Sequence, residues 1–288
     1  DSLNLLSFDT QKVTNMDSMF CNCEKLTALD LSSFHTEKVD NMDNLFNGCK
    51  SIESIKFNNN FDTSLITNMI SMFNNCNKLK SLDLSSFKTN NVQNMDYMFN
   101  NCDSLTEIKT TSQFDTSNVN SMKYMFNNCE KLSTLDTSSF HTSNVVNMEH
   151  MFCNCKEITT INTDNFDFSK LETMAYMFDG CEKLQNLDLS GITTSSVLNM
   201  EYTFNNCKSL TNLDLSHFDT GSVTTMKNMF NNCNALTLEA QFDTTNVENM
   251  ENMFNNNYEM ISLDTTKFDT SKVTNMAYMF NNCEKLSN

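Results

Sequence analysis

The chain has 288 residues and a formal net charge of −17, and all its basic residues are lysines. It therefore lacks the Arg- and Lys-rich stripe that neutralises nucleic-acid phosphate, and its charge opposes docking on anionic membrane surfaces. At 39% hydrophobic residues, no apolar run approaches the roughly 20 residues of a membrane-spanning helix.

The sequence is periodic from end to end. A Phe, usually preceded by Met, recurs at 20, 46, 73, 99, 126, 152, 178, 204, 230, 254 and 280. The steps between these anchors are 26 or 27 residues, except the step from Phe230 to Phe254, which is 24. A fixed period of this size predicts a repeat array, each unit packing mainly on its neighbours. We expect one domain over 1–288, about eleven repeats long. Leu3-Asn4-Leu5 matches Leu29-Asp30-Leu31, and the chain stops two residues after Cys283-Glu-Lys-Leu286, so both ends are expected to fall in mid-repeat, as in an excised piece.

The first full turn shows the design. Leu26, Leu29, Leu31 and Phe34 have the spacing LxxLxLxxF of a leucine-rich-repeat strand, with Asp30 pointing out between two inward leucines. Val39, Met42, Leu45, Phe46 and Cys49 then fall on one face of a helix or of helical turns. Thr36 precedes this stretch as its N-cap, and Thr10, Thr63, Thr89, Thr116 and Thr142 hold the same place. Only Asn or Gly stands just before the recurring Cys: Asn22, Gly48, Asn75, Asn101, Asn128 and so on to Asn282. These two residues best tolerate a left-handed conformation, here closing the helix. The expected fold is an α/β solenoid. It is a leucine-rich-repeat-like right-handed coil with a parallel concave sheet and short helical turns on the convex side.

Departures from the period follow in chain order. The turns Ile55–Phe61 and Ile108–Phe114 each carry one extra residue, with Lys56 and Lys109 replacing the outward Asp. Phe168 occupies a Thr position and Thr203 a Met position. The turn from Cys233 to Phe242 is two residues short, which predicts a kink at Leu236-Thr-Leu238. Asn257 replaces the recurring Cys in the next turn.

The string CxxLxxLDLSxFDTxxVxxMxxMFxxC, nearly unedited from Cys207 to Phe230, resembles the BspA-like leucine-rich-repeat proteins of microbial cell surfaces. The resemblance spans essentially the whole chain. It implies a solenoid displayed outside the cell, in a family associated with adhesion to host or matrix components. It supplies no catalytic or ligand residues, and fold alone does not settle function.

Several columns could carry chemistry. Ten cysteines, Cys23 to Cys283, recur one per turn; they read as buried small hydrophobes, as bridges between adjacent turns, or as metal ligands. Zinc sites use tighter CxxC pairs. Cys21 and Cys153, the first members of CxC pairs, are expected to be exposed at the helix end. The methionine column from Met16 to Met276 reads as core rather than as a copper site. His150 lies near Cys153, a weak metal signal, and no Ser/His/Asp set or phosphate loop stands out. We expect no enzyme and no cofactor.

The outward strand column is the expected functional surface. It reads Asn4, Asp30, Lys56, Asp83, Lys109, Asp136, Asn162, Asp188, Asp214 and, past the short turn, Asp264. Its first part alternates in sign, while its later part is acidic. Asn162, Asp188, Asp214 and Asp264 are the candidate ligand-binding residues, suited to Ca²⁺ or to a Lys/Arg-rich partner. Three functions fit the sequence. One is an extracellular or cell-surface adhesion module binding a host or matrix protein or glycan through its concave face. The others are a structural solenoid that self-associates end to end and a cytosolic scaffold. Neither nucleic-acid binding nor membrane insertion by this segment is expected.

Overall fold

The computed structural model describes residues 3–287. We call each repeat a rung and number rungs by the inward residue of the strand segment. Leu29, Ile55, Leu82, Ile108, Leu135, Ile161, Leu187, Leu213, Leu238 and Leu263 belong to rungs 1 to 10. Eight short strands are formed among the described residues: β1 Ala28–Asp30, β2 Ser54–Lys56, β3 Ser81–Asp83, β4 Glu107–Lys109, β5 Thr160–Ile161, β6 Asn186–Leu187, β7 Asn212–Asp214 and β8 Thr237–Glu239. All pairings are parallel and join consecutive rungs, giving the sheets β1-β2, β3-β4 and β5-β6-β7-β8. The first two breaks in pairing follow rungs 2 and 4, each of which carries one extra residue after its strand.

The strands alternate as their sequences dictate, with Leu29, Leu82, Ile161, Leu187 and Leu213 buried between exposed or half-exposed neighbours. The core lies between the strand side and the turn side and runs the length of the coil. The recurring phenylalanines form one continuous stack from Phe20 to Phe280, with centroid spacings such as 5.3 Å for Phe46–Phe73 and 5.8 Å for Phe152–Phe178. The methionine column expected in the core is there from Met16 to Met250, with Met42, Met95 and Met200 showing no exposed surface, whereas Met276 in the last rung is exposed.

The turn side corrects the expected helices. No helix occurs among the described residues, and none is long and apolar enough to cross a membrane. The fold is a solenoid of strands and turns rather than α/β. In rung 3 the N–H groups of Met95, Tyr97, Phe99 and Asn101 donate to Ser121, Lys123, Met125 and Asn127 of the next rung at 2.8–3.0 Å. The alternate groups donate three residues back, as Met98 does to Met95 and Cys102 to Phe99. A helix would direct all of them to its own carbonyls four residues earlier. Half of these donors are instead satisfied by a neighbouring rung, and the result is a second ladder parallel to the sheet.

Two left-handed residues per rung make this path possible. Asn22, Asn75, Asn101, Asn128 and their equivalents have φ near +60°, and Gly48 and Gly180 have φ of +76° and +72°. The left-handed reading of this position holds, but the residue closes a hydrogen-bonded turn rather than a helix. A second such position lies four residues earlier, at Ser18, Asn44, Ser71, Tyr97, Tyr124, His150, Tyr176, Tyr202, Asn228, Asn252 and Tyr278. Left-handed residues at this spacing are incompatible with a right-handed helix.

The threonines expected as N-caps do another job. Thr36, Thr63, Thr89, Thr116 and Thr142 are buried, and each hydroxyl donates to a backbone carbonyl of the next rung, as Thr89 does to Asp115 at 2.7 Å. Rungs are thus bolted together by side chains as well as by backbone.

The short rung also departs from expectation. β8 keeps full register with β7, pairing Asn212 with Thr237, Leu213 with Leu238 and Asp214 with Glu239. One residue is lost on each side of the strand, from Cys233 to Thr237 and from Glu239 to Phe242, so no kink falls on Leu236-Thr-Leu238.

All twelve thiols are free. Eight of the column, Cys49 to Cys233, are buried, and each Sγ donates to the carbonyl of the anchor Phe in the preceding rung, as Cys102 does to Phe73 at 3.2 Å. Cys153 is buried rather than exposed, with Asp179 at 3.9 Å, and burial pushes its thiol up to about 12. Cys21 is half-buried, and Cys23, a member of the buried column by sequence, is the exposed one.

Candidate recognition surface

Outward side chains at the ends of the strands form the expected column, and the structure gives each a local role. Asp30, Asp83, Asp136, Asp188, Asp214 and Asp264 each accept, through Oδ1, the backbone N–H two residues on, at 2.8–3.0 Å. Asn162 does the same for Asp164 at 2.8 Å. Strand end and turn are thereby joined by an Asx turn. This is why Asp and Asn recur there whether or not they meet a ligand.

Charge then separates two halves of the column. In the first, Lys56 pairs with Asp30 at 3.1 Å and Lys109 with Asp83 at 2.9 Å, in the register that the strand pairing sets. Hydrogen bonds from Ser32 and Ser85, together with these lysines, hold both carboxyls down at about 2. In the second half, no lysine pairs with Asp136, Asp188, Asp214 or Asp264 among the described residues. Asp188 is held below the usual carboxylate range by the Ser190 hydroxyl and N–H, against the opposing charge of Asp214. Ser216 and Thr266 lower Asp214 and Asp264 in the same way.

Of the four candidate residues, Asn162, Asp188 and Asp214 stand on consecutive rungs along the four-stranded sheet. Asp264 does not adjoin them: Glu239 lies between, in register with Asp214, and Gln241 Nε2 of that rung donates to Asp264 at 2.8 Å. The expectation of an irregular turn hid Glu239. The two-residue deficit looked like a break in register, whereas it is divided evenly about the strand. Among the described residues no three His, Cys, Asp or Glu side chains gather as a metal site. Beside Asp188 a cleft of about 270 Å³ opens between rungs 6 and 7, lined in part by Thr163, Phe166 and Ser190.

The turn side carries an aromatic column that recurs at the repeat period, two residues before the anchor Phe. Tyr97, Tyr124, His150, Tyr176 and Tyr202 stack in one row, with centroids 5.0, 4.3, 4.3 and 4.4 Å apart. All five are half-buried and left-handed. Lys123 lies over Tyr124 and pairs with Glu149 at 2.9 Å. Burial and the nearby Glu201 push the Tyr176 hydroxyl up to about 12, and burial lowers His150. His150, the sequence's weak metal signal, is a member of this stack.

The family profile described as "Mycoplasma protein of unknown function, DUF285" matches residues 2–110, 50–161, 75–191, 154–254 and 214–288. The chain belongs to this family. The overlapping matches tile the coil rung upon rung, and the resemblance to BspA-like leucine-rich-repeat proteins holds over the same length. No curated protein matches. Among solved structures, the chain is similar to a leucine-rich-repeat protein of Bacteroides ovatus, at 15% identity and a TM-score of 0.36, covering 99% of this chain and 85% of the other. A leucine-rich cell-surface protein of Faecalibacterium prausnitzii is 17% identical with a TM-score of 0.26, covering 85% and 88%. A leucine-rich-repeat protein of Leptospira interrogans is 9% identical with a TM-score of 0.30, covering 83% and 84%.

Proposed function

We propose that this member of the family is a non-catalytic recognition module, displayed outside the cell, that offers its strand face to a host or matrix partner. The acidic half of the column, Asn162, Asp188, Asp214 and Asp264, takes a Lys/Arg-rich stretch of a partner protein. The observation that carries this reading is the contrast within one column. Asp30 and Asp83 are each neutralised by a lysine on the next rung, whereas Asp188 and Asp214 lie on neighbouring rungs with no lysine partner among the described residues. Carboxylates held ionised side by side gain from a cationic partner and steer its approach. Their own Asx turns keep them oriented, so binding need not order them first.

The test is the double variant Asp188→Asn, Asp214→Asn, measured by surface plasmon resonance against immobilised matrix proteins and a Lys/Arg-rich peptide. Asn fills the same structural role at position 162, so folding is retained. Affinity should fall roughly three- to tenfold, as expected for two exposed ion pairs, and the salt dependence should flatten. Lys56→Ala should leave binding unchanged. Unaltered binding in the double variant, or loss with Lys56→Ala, would remove the assignment.

A further inference from the structure

One cleft of about 390 Å³ on the strand face is lined by Leu3, Leu5 and Leu6 beside β1, and three further, more polar ones open at the C-terminal ends of later strands, at alternate rungs. The first of these three, about 380 Å³, lies between rungs 2 and 3; the second, about 280 Å³, between rungs 4 and 5; the third, about 270 Å³, between rungs 6 and 7. The later rung brings the same Asp-x-Ser unit to each: Asp83 and Ser85, Asp136 and Ser138, Asp188 and Ser190. The first two coincide with the breaks in strand pairing after the longer rungs. Two rungs span about 10 Å at the usual strand separation, so the clefts form a row of constant step.

Their chemistry is that of hydroxyl recognition. In the second cleft every lining residue is polar, with Thr111, Ser112 and Ser139 beside Asp136 and His141. A hydroxyl both donates and accepts, and a carboxylate accepts several bonds at once; such a set matches the vicinal hydroxyls of a sugar ring, each of which also donates and accepts. The first and third clefts add one apolar ring each, Phe57 and Phe166, as a floor for a sugar's C–H face. In the second and third clefts Asp136 and Asp188, without a lysine partner among the described residues and on a chain of net charge −17, disfavour uronic acids and sulfated sugars; in the first, Lys56 and Lys109 line the cleft with Asp83. A peptide adding as a strand would find an unpaired edge at the first two clefts only, because the third lies between the paired strands β5 and β6.

We infer that the row binds a linear, uncharged polysaccharide running along the coil axis, with one sugar seated in each cleft and the intervening sugars bridging between them. This rests on the strand face being the recognition surface, and it names a ligand class for an overlapping part of that face, Asp188 being common to both. Occupying a second cleft with one chain makes the second contact intramolecular, so affinity must climb with chain length.

The experiment is calorimetric titration of the full chain with neutral cello-, manno- and β-1,3-gluco-oligosaccharides of increasing length, with polygalacturonate as the acidic control. At least one neutral series should bind, with affinity rising tenfold or more once the oligomer spans two clefts. Asp136→Asn with Ser139→Ala should weaken the longer oligomers at least fivefold. The fold tolerates this change, because Asn162 holds the same Asx turn. The inference falls if no neutral oligosaccharide saturates the protein, if polygalacturonate binds better, if affinity ignores length, or if the variant binds as the parent does. It also falls if an extended peptide, rather than a sugar, proves sensitive to the variant. Should the Lys/Arg-rich peptide bind and respond to Asp188→Asn, Asp214→Asn while every oligosaccharide fails, the recognition surface stands and only the glycan assignment is lost.

Discussion

The side-chain amide of Asn257 donates to the carbonyl of Phe230 at 2.8 Å, the bond that Cys233 makes to Phe204 one rung earlier. Asn257 is fully buried, and its own Oδ1 meets no partner. The cysteine column is therefore selected for a small side chain that donates, not for apolarity alone. Cys satisfies both requirements and leaves no strong acceptor stranded.

Asn257→Cys should accordingly stabilise the protein by about 1 kcal/mol, since it keeps a donor and removes a buried, unpaired oxygen. Asn257→Ala, which lacks the donor, should lie below Asn257→Cys by a similar amount, about 1 kcal/mol. Thermal melting of the three proteins decides it; a Cys variant that melts below the parent would refute the donor argument.

The left-handed turns make a second prediction. At Gly48, φ is +76° and an added Cβ would run into Asn22 Oδ1, whereas at Gly191 it would meet nothing. Gly48→Ala should cost about 1–2 kcal/mol from backbone strain alone, while Gly191→Ala should be neutral or slightly stabilising. Asn128→Gly retains the backbone but breaks the amide ladder in which Asn128 donates to Asn101 at 2.7 Å and accepts from Asn154 at 2.8 Å. It should cost on the order of 1 kcal/mol, less than Asn128→Val, which loses the ladder and strains the turn as well. Equal denaturation midpoints for Asn128→Gly and Asn128→Val would exclude the left-handed account.

A third prediction concerns pH. His150 is half-buried between the rings of Tyr124 and Tyr176, and burial lowers its affinity for a proton, against the attraction of Glu149 at 3.7 Å. The unfolded chain therefore takes up the proton first as pH falls through the ordinary imidazole range, near 6.5. Stability contributed by the neutral ring should be complete above that range and be lost below it, levelling once the folded protein is protonated too. His150→Phe keeps a ring in the stack and should flatten the stability profile between pH 7 and pH 5. A profile equally steep in the variant would assign the dependence to other groups.

Much of the coil was legible in the residues themselves. Asp30 between Leu29 and Leu31 alternates because a strand points successive side chains to opposite faces, whatever surrounds it. Asn22 and its equivalents were readable as left-handed because only two residue types reach that region at little cost. The charge pairs Asp30–Lys56 and Asp83–Lys109 followed from the period, since one repeat places them on neighbouring strands. Family membership rests on the same iterated string.

The tertiary structure decided the rest, for one physical reason. Val39, Met42, Leu45 and Phe46 have a spacing that suits a helix and a chain of three-residue turns equally well. What separates the two is the partner of each backbone N–H, and for Tyr97 that partner is Lys123, a whole rung away. Local sequence cannot announce a bond to a residue it does not contain. The same holds for Thr89, whose hydroxyl reaches Asp115, and for Glu239, whose place beside Asp214 emerges only when the lost residues are seen to fall on both sides of its strand. Periodicity by itself determined which residues face inward and how often they return. Only the stacking of one rung on the next decided that the turn side is a second ladder and that clefts open between the rungs.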